Sequence, residues 1–188
     1  MKKDLLGVKV ALLVANGFSE QDMTSAQKAL IEVGANVRIV SPENGLTNGW
    51  DGQGWGHHFA VDAPLSTALS ADYTALVVPG GQRSIDKLNL TGHTKRFISS
   101  FMNASKPVVF MDDALHLLIL TDNMKSRTVS GPQHMGDVVM QAGGFWDDSG
   151  FYIDDNLMTG AVDQDRRRDF VARILEHFVT RVDIEQAA

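Results

Sequence analysis

The stretch KPVVFMDDALHLL, Lys106 to Leu118, has the pattern of a buried β-strand that leads directly into a helix. Its Val108 to Met111 run is short and apolar, and an apolar helical pattern follows from Leu115. Two adjacent carboxylates, Asp112 and Asp113, lie at the junction. Because a strand-to-helix elbow is a common position for a nucleophile, the stretch predicts a functional site built on aspartates.

Two other apolar runs, Val8 to Ala15 and Ala75 to Val78, are followed by Asn-Gly and Pro-Gly-Gly turns and predict strands buried on both faces. Helical patterns between such runs indicate βαβ units and therefore a parallel sheet. The segment from Ser41 to Val61 contains repeated Asn-Gly and Asp-Gly turn signals, which predict a β-hairpin. Towards the end of the chain we expect helices from His134 to Ala142 and from Arg167 to Val179.

Length and composition limit the classes of function. A chain of 188 residues with 44% hydrophobic content predicts one globular domain, residues 1–188. The net charge of -6 argues against a nucleic-acid partner, because phosphate binding needs a basic face. The absence of cysteine excludes disulfides, thiolate metal sites and thiol nucleophiles. The N-terminal MKKDLLGVKVALLVANG has neither a cleavage pattern nor an apolar span of about 20 residues, so we expect a cytoplasmic protein without a membrane partner.

The ends of the predicted strands are the places to look for a site, because ligands of open α/β sheets bind beyond the carboxyl ends of the strands. Three strand ends carry distinctive residues: Asn16 to Asp22, Pro79 to Gly81, and the pair Asp112 and Asp113. The short basic run, Arg166 to Arg168, is flanked by acidic residues and is typical of a solvated helix start. We therefore expect the three strand ends to form the site together.

These stretches, taken in order, resemble the ThiJ/PfpI family, also called the DJ-one/PfpI family, of the class I glutamine amidotransferase-like superfamily. VALLVANGFSEQDMT resembles the family's first strand and helix start, and YTALVVPGG its Pro-Gly-Gly turn. KPVVFMDDALHLL resembles the family's nucleophile elbow. The segment IVSPENGLTNGWDGQGWGHHFAVDAPL resembles its second strand and hairpin. The segment DDNLMTGAVDQDRRRDFVARILE resembles its closing strand and helix. The resemblance implies a flavodoxin-like three-layer α/β sandwich, a mostly parallel sheet with helices on both faces and a β-hairpin insertion.

The family elbow usually reads Ala-Ile-Cys-His-Gly-Pro, and this chain departs from it. The resemblance puts Asp112 at the cysteine position, Asp113 at the histidine position and Asp22 at the position of the family's buried acid. Gly80 and Gly81 match the turn whose backbone N–H groups stabilise an oxyanion in hydrolytic relatives. The candidate catalytic residues are therefore Asp112, Asp22 and Asp113. A cysteine introduced at Asp112 is expected to have a depressed pKa, because a helix N-terminus stabilises a thiolate.

The aspartates allow several interpretations. If Asp112 meets Asp22, two carboxyls share one buried site, which should raise one pKa strongly and allow acid and base catalysis. Asp112 could instead mimic the sulfinate that the family cysteine forms on oxidation, which would fix the site in one state. Simpler roles also stay open: Asp112 as a helix N-cap, Asp113 as a partner of the helix dipole, and Asp22 as an ordinary acid at a helix start.

Two histidines are candidates for the pocket. His116 lies one turn past Asp112, and His134 follows a Ser-Gly-Pro turn. His116 could complete a hard-metal site with Asp22 and Asp112, but a packed or solvent-facing histidine is the simpler interpretation. Joint ligation by adjacent histidines in the hairpin is not expected, because neighbours on a strand point to opposite faces. We therefore predict neither a metal nor a cofactor.

Two hypotheses for function follow. Trp50 and Trp55 in the Gly-rich hairpin predict an exposed apolar surface, which is typical of an interface and suggests a homodimer or higher homo-oligomer. The first hypothesis is a non-thiol binding, chaperone-like or stress-related module, with a small molecule or a client protein as a further partner. The alternative is a hydrolase or lyase that uses Asp22 and Asp112. Cysteine-dependent protease, amidase, glyoxalase or deglycase activity is not expected.

Overall fold

The computed structural model describes residues 4–187, with side chains described up to residue 182. The single-domain prediction for residues 1–188 therefore includes residues 1–3 and 188, which lie outside the described residues, as do the first two lysines of the N-terminal segment. Within the described chain there are twelve strands and six α-helices.

The strands alternate with helices along most of the chain. In chain order they are β1 (Lys9–Leu13), β2 (Phe18–Ser19), β3 (Asn36–Ser41), β4 (Leu46–Trp50), β5 (Trp55–Ala60), β6 (Ala63–Pro64), β7 (Ala75–Val78), β8 (Val108–Met111), β9 (Thr128–Val129), β10 (Phe145–Trp146), β11 (Phe151–Asp154) and β12 (Leu157–Gly160). The helices are α1 (Glu20–Glu32), α2 (Gln82–Asn89), α3 (Gly92–Asn103), α4 (Leu115–Leu120), α5 (Gly136–Gln141) and α6 (Arg167–Ala187).

Seven of the strands form one sheet in the order β11-β12-β8-β7-β1-β3-β6. All neighbours in it are parallel except β11 and β12, which pair antiparallel. The three strands β8, β7 and β1 lie side by side, so the segments that follow them meet at one edge of the sheet. The strands β4 and β5 form the expected antiparallel hairpin and join β2 in a small separate sheet.

The sheet has a hydrophobic core on each face. Successive residues of β1 point to opposite faces, so Ala11 and Leu13 join one core while Val10 and Leu12 join the other. The first core packs against helices α2 to α5, and the second packs against α1 and α6. This arrangement confirms the flavodoxin-like three-layer sandwich with a mostly parallel sheet and helices on both faces.

Some elements differ from the sequence-based expectation. Helix α2 was not expected, because its eight residues offer only a short apolar pattern around Ile85 and Leu88. The expected helix from His134 to Ala142 is divided into a 3-10 turn, Gln133–Met135, and α5. The final helix begins at Arg167 as expected but continues beyond Val179. Between residues 4 and 187, no helix is both long enough and apolar enough to cross a membrane.

Candidate functional site

A pocket of about 520 Å³ opens where the segments after β1, β7 and β8 meet. Its walls include six of the residues singled out from the sequence: Asp22, Gly81, Asp112, Asp113, His116 and His134. Gly80 lies directly behind this wall, where a Cβ atom would come within 2.7 Å of Asp113 Oδ1. The structure therefore brings the expected candidates together at the expected edge of the sheet.

Asp112 occupies the elbow with a strained backbone. Its φ of 50° lies in the left-handed region, which non-glycine residues rarely adopt. One carboxylate oxygen, Oδ1, accepts a hydrogen bond of 2.6 Å from the backbone N–H of Val162, which follows β12. The N-cap positions at this junction belong to Met111 and Ala114. The helix-cap interpretation of Asp112 is therefore wrong, since its side chain bonds to a different segment of the chain.

Burial raises the pKa of Asp112 to about 7. The hydrogen bond from Val162 lowers this pKa, the negative charges of Asp22 and Asp113 raise it further, and Arg167 opposes them. Desolvation is the largest cause, because the carboxylate loses hydration that a single backbone N–H does not replace. Asp112 therefore changes its charge near neutral pH, as a general acid or base must.

Asp22 lies beside Asp112 but has its own partner. It is 2% exposed, and its Oδ1 accepts a hydrogen bond of 2.9 Å from Nε of Arg167, which joins α1 to α6. Burial raises the pKa of Asp22, although hydrogen bonds from Ser19 and Arg167 lower it. Among the hydrogen bonds of the described residues, none joins Asp22 to Asp112. The two carboxyls interact through their charges, and the raised pKa of Asp112 agrees with the expectation that a shared buried site raises the pKa of one of them.

Asp113 reaches away from its own helix. Its Oδ1 accepts a hydrogen bond of 2.8 Å from the backbone N–H of Gly81. Gly81 has a φ of 119°, and a Cβ atom there would lie 2.6 Å from the carbonyl oxygen of Gly17, so only glycine fits. Asp113 lies in the first turn after β8, as the dipole interpretation requires, and in addition it binds the segment after β7. The carboxylate of Asp113 thus accepts the hydrogen bond from the N–H of Gly81, one of the groups that the resemblance assigns to stabilising an oxyanion.

The histidines have different surroundings. His116 and His134 line the pocket, as expected. In the described part of the chain, no group of three or more histidine and acidic side chains is placed to hold a metal ion. His57 lies in the hairpin, where its Nδ1 is 2.5 Å from Oε1 of Glu20. The hairpin histidine therefore helps to attach the hairpin to α1.

Two contacts were not expected from the sequence, one beside the site and one between α1 and the hairpin. Arg167 was interpreted as part of a solvated basic run, yet its side chain is only 20% exposed and pairs with Asp22. Glu20 fits between Gly49 and Gly56, where a Cβ atom would come within 2.5 Å and 1.8 Å of its Oε2. No pattern in the sequence identifies either contact, because each joins segments that are far apart in the chain.

The hairpin tryptophans are exposed to different degrees. Trp55 is 55% exposed, as the sequence suggested. Trp50 is only partly exposed, because the guanidinium carbon of Arg83 lies 3.9 Å from the centroid of its ring. Trp50 also packs edge-on against Trp55, with 5.6 Å between ring centroids. The apolar surface of the hairpin is therefore smaller than expected.

Comparisons with known proteins agree with this fold. The model of the DJ-1/PfpI family matches residues 8–177. The putative cysteine protease YraA of Bacillus subtilis (strain 168) is 28% identical over 158 residues, which cover 84% of this chain and 90% of that protein. The uncharacterized protein SAV1875 of Staphylococcus aureus (strain Mu50 / ATCC 700699) is 29% identical over 160 residues, with coverage of 84% and 91%.

Solved structures show the same fold at lower identity. A two-domain protein from Anabaena variabilis, with DJ-1/ThiJ/PfpI-like and ferritin-like domains, aligns with a TM-score of 0.82 and 22% identity over 94% of this chain. The alignment spans about half, 48%, of that longer protein. Drosophila melanogaster DJ-1beta aligns with a TM-score of 0.81 and 15% identity, covering 96% of this chain and 95% of that one.

Proposed function

Because the chain belongs to the DJ-1/PfpI family and contains no cysteine, we propose that it is a cysteine-independent small-molecule-binding protein that does not perform acyl transfer. The observation that carries the proposal is the hydrogen bond of 2.8 Å from the N–H of Gly81 to the carboxylate of Asp113. In acyl transfer such a backbone N–H must be free to stabilise the negative oxygen of the intermediate. Here a carboxylate of the protein itself occupies the donor.

The carboxylates at the base of the pocket are held by separate partners. Asp112 is bonded to Val162, Asp113 to Gly81, and Asp22 to Arg167. Fixed side chains of this kind favour binding, because little conformational freedom is lost when a ligand arrives. The volume of about 520 Å³ is in the range of small-molecule sites. The pocket therefore suits a small polar ligand.

Two variants of α5 test the binding proposal. Val138 lines the pocket, whereas the exposed Met140 on the same helix is not among its lining residues. Small polar fragments observed by ligand-detected NMR should bind the wild-type protein and the Met140→Trp variant, and should lose binding in Val138→Trp. Equal binding to both variants would show that the fragments bind elsewhere. Hydrolysis of p-nitrophenyl acetate should stay at the rate of buffer, and faster hydrolysis that Asp112→Asn abolishes would contradict the proposal.

Self-association belongs to the same proposal, with a second copy or a client protein as the partner. Trp55 is 55% exposed and Leu46 54% exposed on the hairpin, and exposed apolar side chains of this size are enriched at interfaces. Light scattering after size-exclusion chromatography should give a mass above 20.5 kDa that falls towards this value in Trp55→Ser. A wild-type protein that elutes as a monomer at all concentrations would end this part of the proposal.

A second candidate function is proton transfer by Asp112 in a hydrolase or lyase. It is favoured by one observation: burial raises the pKa of Asp112 to about 7 within the pocket. A carboxyl that titrates near the working pH is suited to general acid and base catalysis. Turnover of methylglyoxal that is lost in Asp112→Asn would favour this function. If the protein only binds its ligand, methylglyoxal should be consumed no faster than in buffer. Turnover that Asp112→Ala leaves unchanged would show that this site does not take part in the reaction.

A further inference from the structure

A second cavity adjoins the pocket beneath the hairpin. It has a volume of about 210 Å³, and its walls include Trp50, Arg167, Ser19 and Gly81. Ser19 and Gly81 also line the main pocket, so the two cavities share a wall. The cavity lined by Arg167 therefore borders the main pocket.

Arg167 has binding capacity that the fold does not use. Its Nε donates the hydrogen bond of 2.9 Å to Asp22, while no hydrogen bond among the described residues uses either of its terminal nitrogens. The side chain is 20% exposed, so the guanidinium is largely shielded from water yet reachable. A planar guanidinium presents paired N–H groups that match the two oxygens of a carboxylate.

The other walls of the cavity include one negatively charged side chain and one flat apolar side chain. Asp51 is the remaining carboxylate, but its Oδ1 accepts hydrogen bonds of 2.8 Å from the N–H groups of Gln53 and Gly54. These bonds hold the side chain in its own turn and lower its pKa, so its negative charge remains and Arg167 has to outweigh it when an anionic group binds. Trp50 adds a flat apolar wall whose position is fixed by its contact with Arg83. A planar carboxylate next to a flat apolar group fits this combination.

We propose that the cavity between Arg167 and Trp50 is a carboxylate-binding subsite, and that the ligand of the protein is a small monocarboxylic acid whose uncharged polar end lies against Asp112. This inference rests on the proposed function, since it names the chemical class that the pocket would bind. The carboxylates of Asp112 and Asp113 repel a second negative group, so dicarboxylates should bind more weakly than monocarboxylates. Arg167 thereby acts as the residue that determines specificity.

Benzoate and benzamide test the subsite because they have the same ring and differ in charge. In ¹H–¹⁵N NMR spectra, benzoate should shift the Nε–H signal of Arg167 and the indole N–H of Trp50 in a saturable manner. Benzamide should bind about tenfold more weakly, which corresponds to loss of one charge-assisted interaction. Phthalate, a dicarboxylate with the same ring, should also bind more weakly than benzoate. Equal shifts with all three probes would overturn the proposal.

Two variants give matched controls. Arg167→Lys keeps the positive charge and loses the paired N–H groups, so benzoate should bind about tenfold more weakly. Arg168→Gln removes a charge from the next, exposed residue, which does not line the cavity, and should leave benzoate binding unchanged. If Arg167→Lys does not fold, the spectra of the wild-type protein decide by themselves. A separate groove between α1 and α6 has Lys28, Arg167 and Arg168 in its walls. Benzoate binding that depends on Arg168 would place benzoate in that groove and overturn the subsite.

The outcome separates the subsite from the proposed function. If the polar fragments lose binding in Val138→Trp but benzoate does not shift the signal of Arg167, the subsite is overturned. The proposed binding function is then unaffected. Benzoate bound at Arg167, with ester hydrolysis that depends on Asp112, would retain the subsite and overturn the proposed function.

Discussion

Asp112 and Val162 are joined by a hydrogen bond of 2.6 Å between a side-chain oxygen and a backbone N–H, which ties the elbow after β8 to the segment after β12. This contact holds a carboxyl whose pKa burial raises to about 7 from an unfolded value of 3.8. A raised carboxyl pKa means that the folded state binds more protons than the unfolded state. The charge of Asp112 therefore opposes folding at pH 7.5, and this opposition fades as the pH falls below 7.

The variant Asp112→Asn tests that relation. Asparagine keeps the oxygen that accepts from Val162 and removes the charge, so the free energy of unfolding at pH 7.5 should rise by up to about 4 kcal/mol, since each of the roughly three units by which the pKa is raised corresponds to about 1.4 kcal/mol. The gain should shrink at pH 4. Asparagine also tolerates positive φ well, but that contribution does not depend on pH. Denaturant melts at both pH values measure the difference, with the exposed Asp137→Asn as a control; a loss of stability at pH 7.5 would contradict the account.

The ion pair between Asp22 and Arg167 gives a second prediction. Arg167→Gln leaves the buried carboxyl of Asp22 without its cation, so unfolding at pH 7.5 should become easier by about 2 kcal/mol, less than for a fully buried pair because Arg167 is partly exposed. The destabilisation should be smaller at pH 5, where an unpaired buried Asp22 is more readily protonated. Arg168→Gln serves as the matched control. Equal effects of the two variants would show that the pair contributes nothing specific.

A cysteine placed at Asp112 should have a raised pKa, contrary to the sequence-based expectation of a depressed one. Burial is the main cause of the raised pKa of Asp112, and the charges of Asp22 and Asp113 act in the same direction. The helix that follows has only six residues, so its dipole offers little compensation. Iodoacetamide labelling of Asp112→Cys against pH should give a value above about 8.5. A value well below this would restore the helix-terminus argument.

The attachment of the hairpin to α1 can be tested with two glycines. A Cβ atom on Gly49 would lie 2.8 Å from Cβ of Glu20, whereas one on Gly54 would meet nothing within 4 Å. Gly49→Ala should therefore destabilise the protein by about 1–3 kcal/mol, the usual range for overpacking. Gly54→Ala should change stability by no more than about 0.5 kcal/mol. Thermal melts of both variants measure this, and a tolerated Gly49→Ala would mean that Glu20 moves aside.

The central sheet could be predicted from the sequence because its strands are continuous apolar runs. Val108 to Met111 and Ala75 to Val78 have that pattern, and both are strands with the expected bounds. The positions of Asp112 and Gly81 at one sheet edge then follow from the parallel topology. Helix α2 could not be predicted in the same way, since eight residues with a short apolar face give too weak a pattern.

The partners of the site residues could not be predicted. Asp22 and Arg167 are 145 positions apart, and Asp112 and Val162 are 50 apart, so no local spacing connects them. Arg167 lies in a run of three arginines that all have the same local sequence character. Arg167, the middle arginine, is the partly buried one because α6 packs against α1. Side-chain direction at the elbow depends likewise on tertiary contacts, which is why the sequence left Asp112 open to a capping interpretation and Asp113 open to a role as a partner of the helix dipole.

The acylation rate of an introduced thiol tests most directly whether Asp113 withholds the N–H of Gly81. Asp112→Cys supplies the nucleophile, and it is combined with either Asp113→Ala, which frees Gly81, or Asp113→Asn, which removes the charge but retains an acceptor oxygen. The burst of p-nitrophenol from p-nitrophenyl acetate is measured and divided by the thiolate fraction of each variant. We expect acylation to be about 100- to 1,000-fold faster with Asp113→Ala, the usual effect of one oxyanion donor. Equal rates in the two variants would contradict the account.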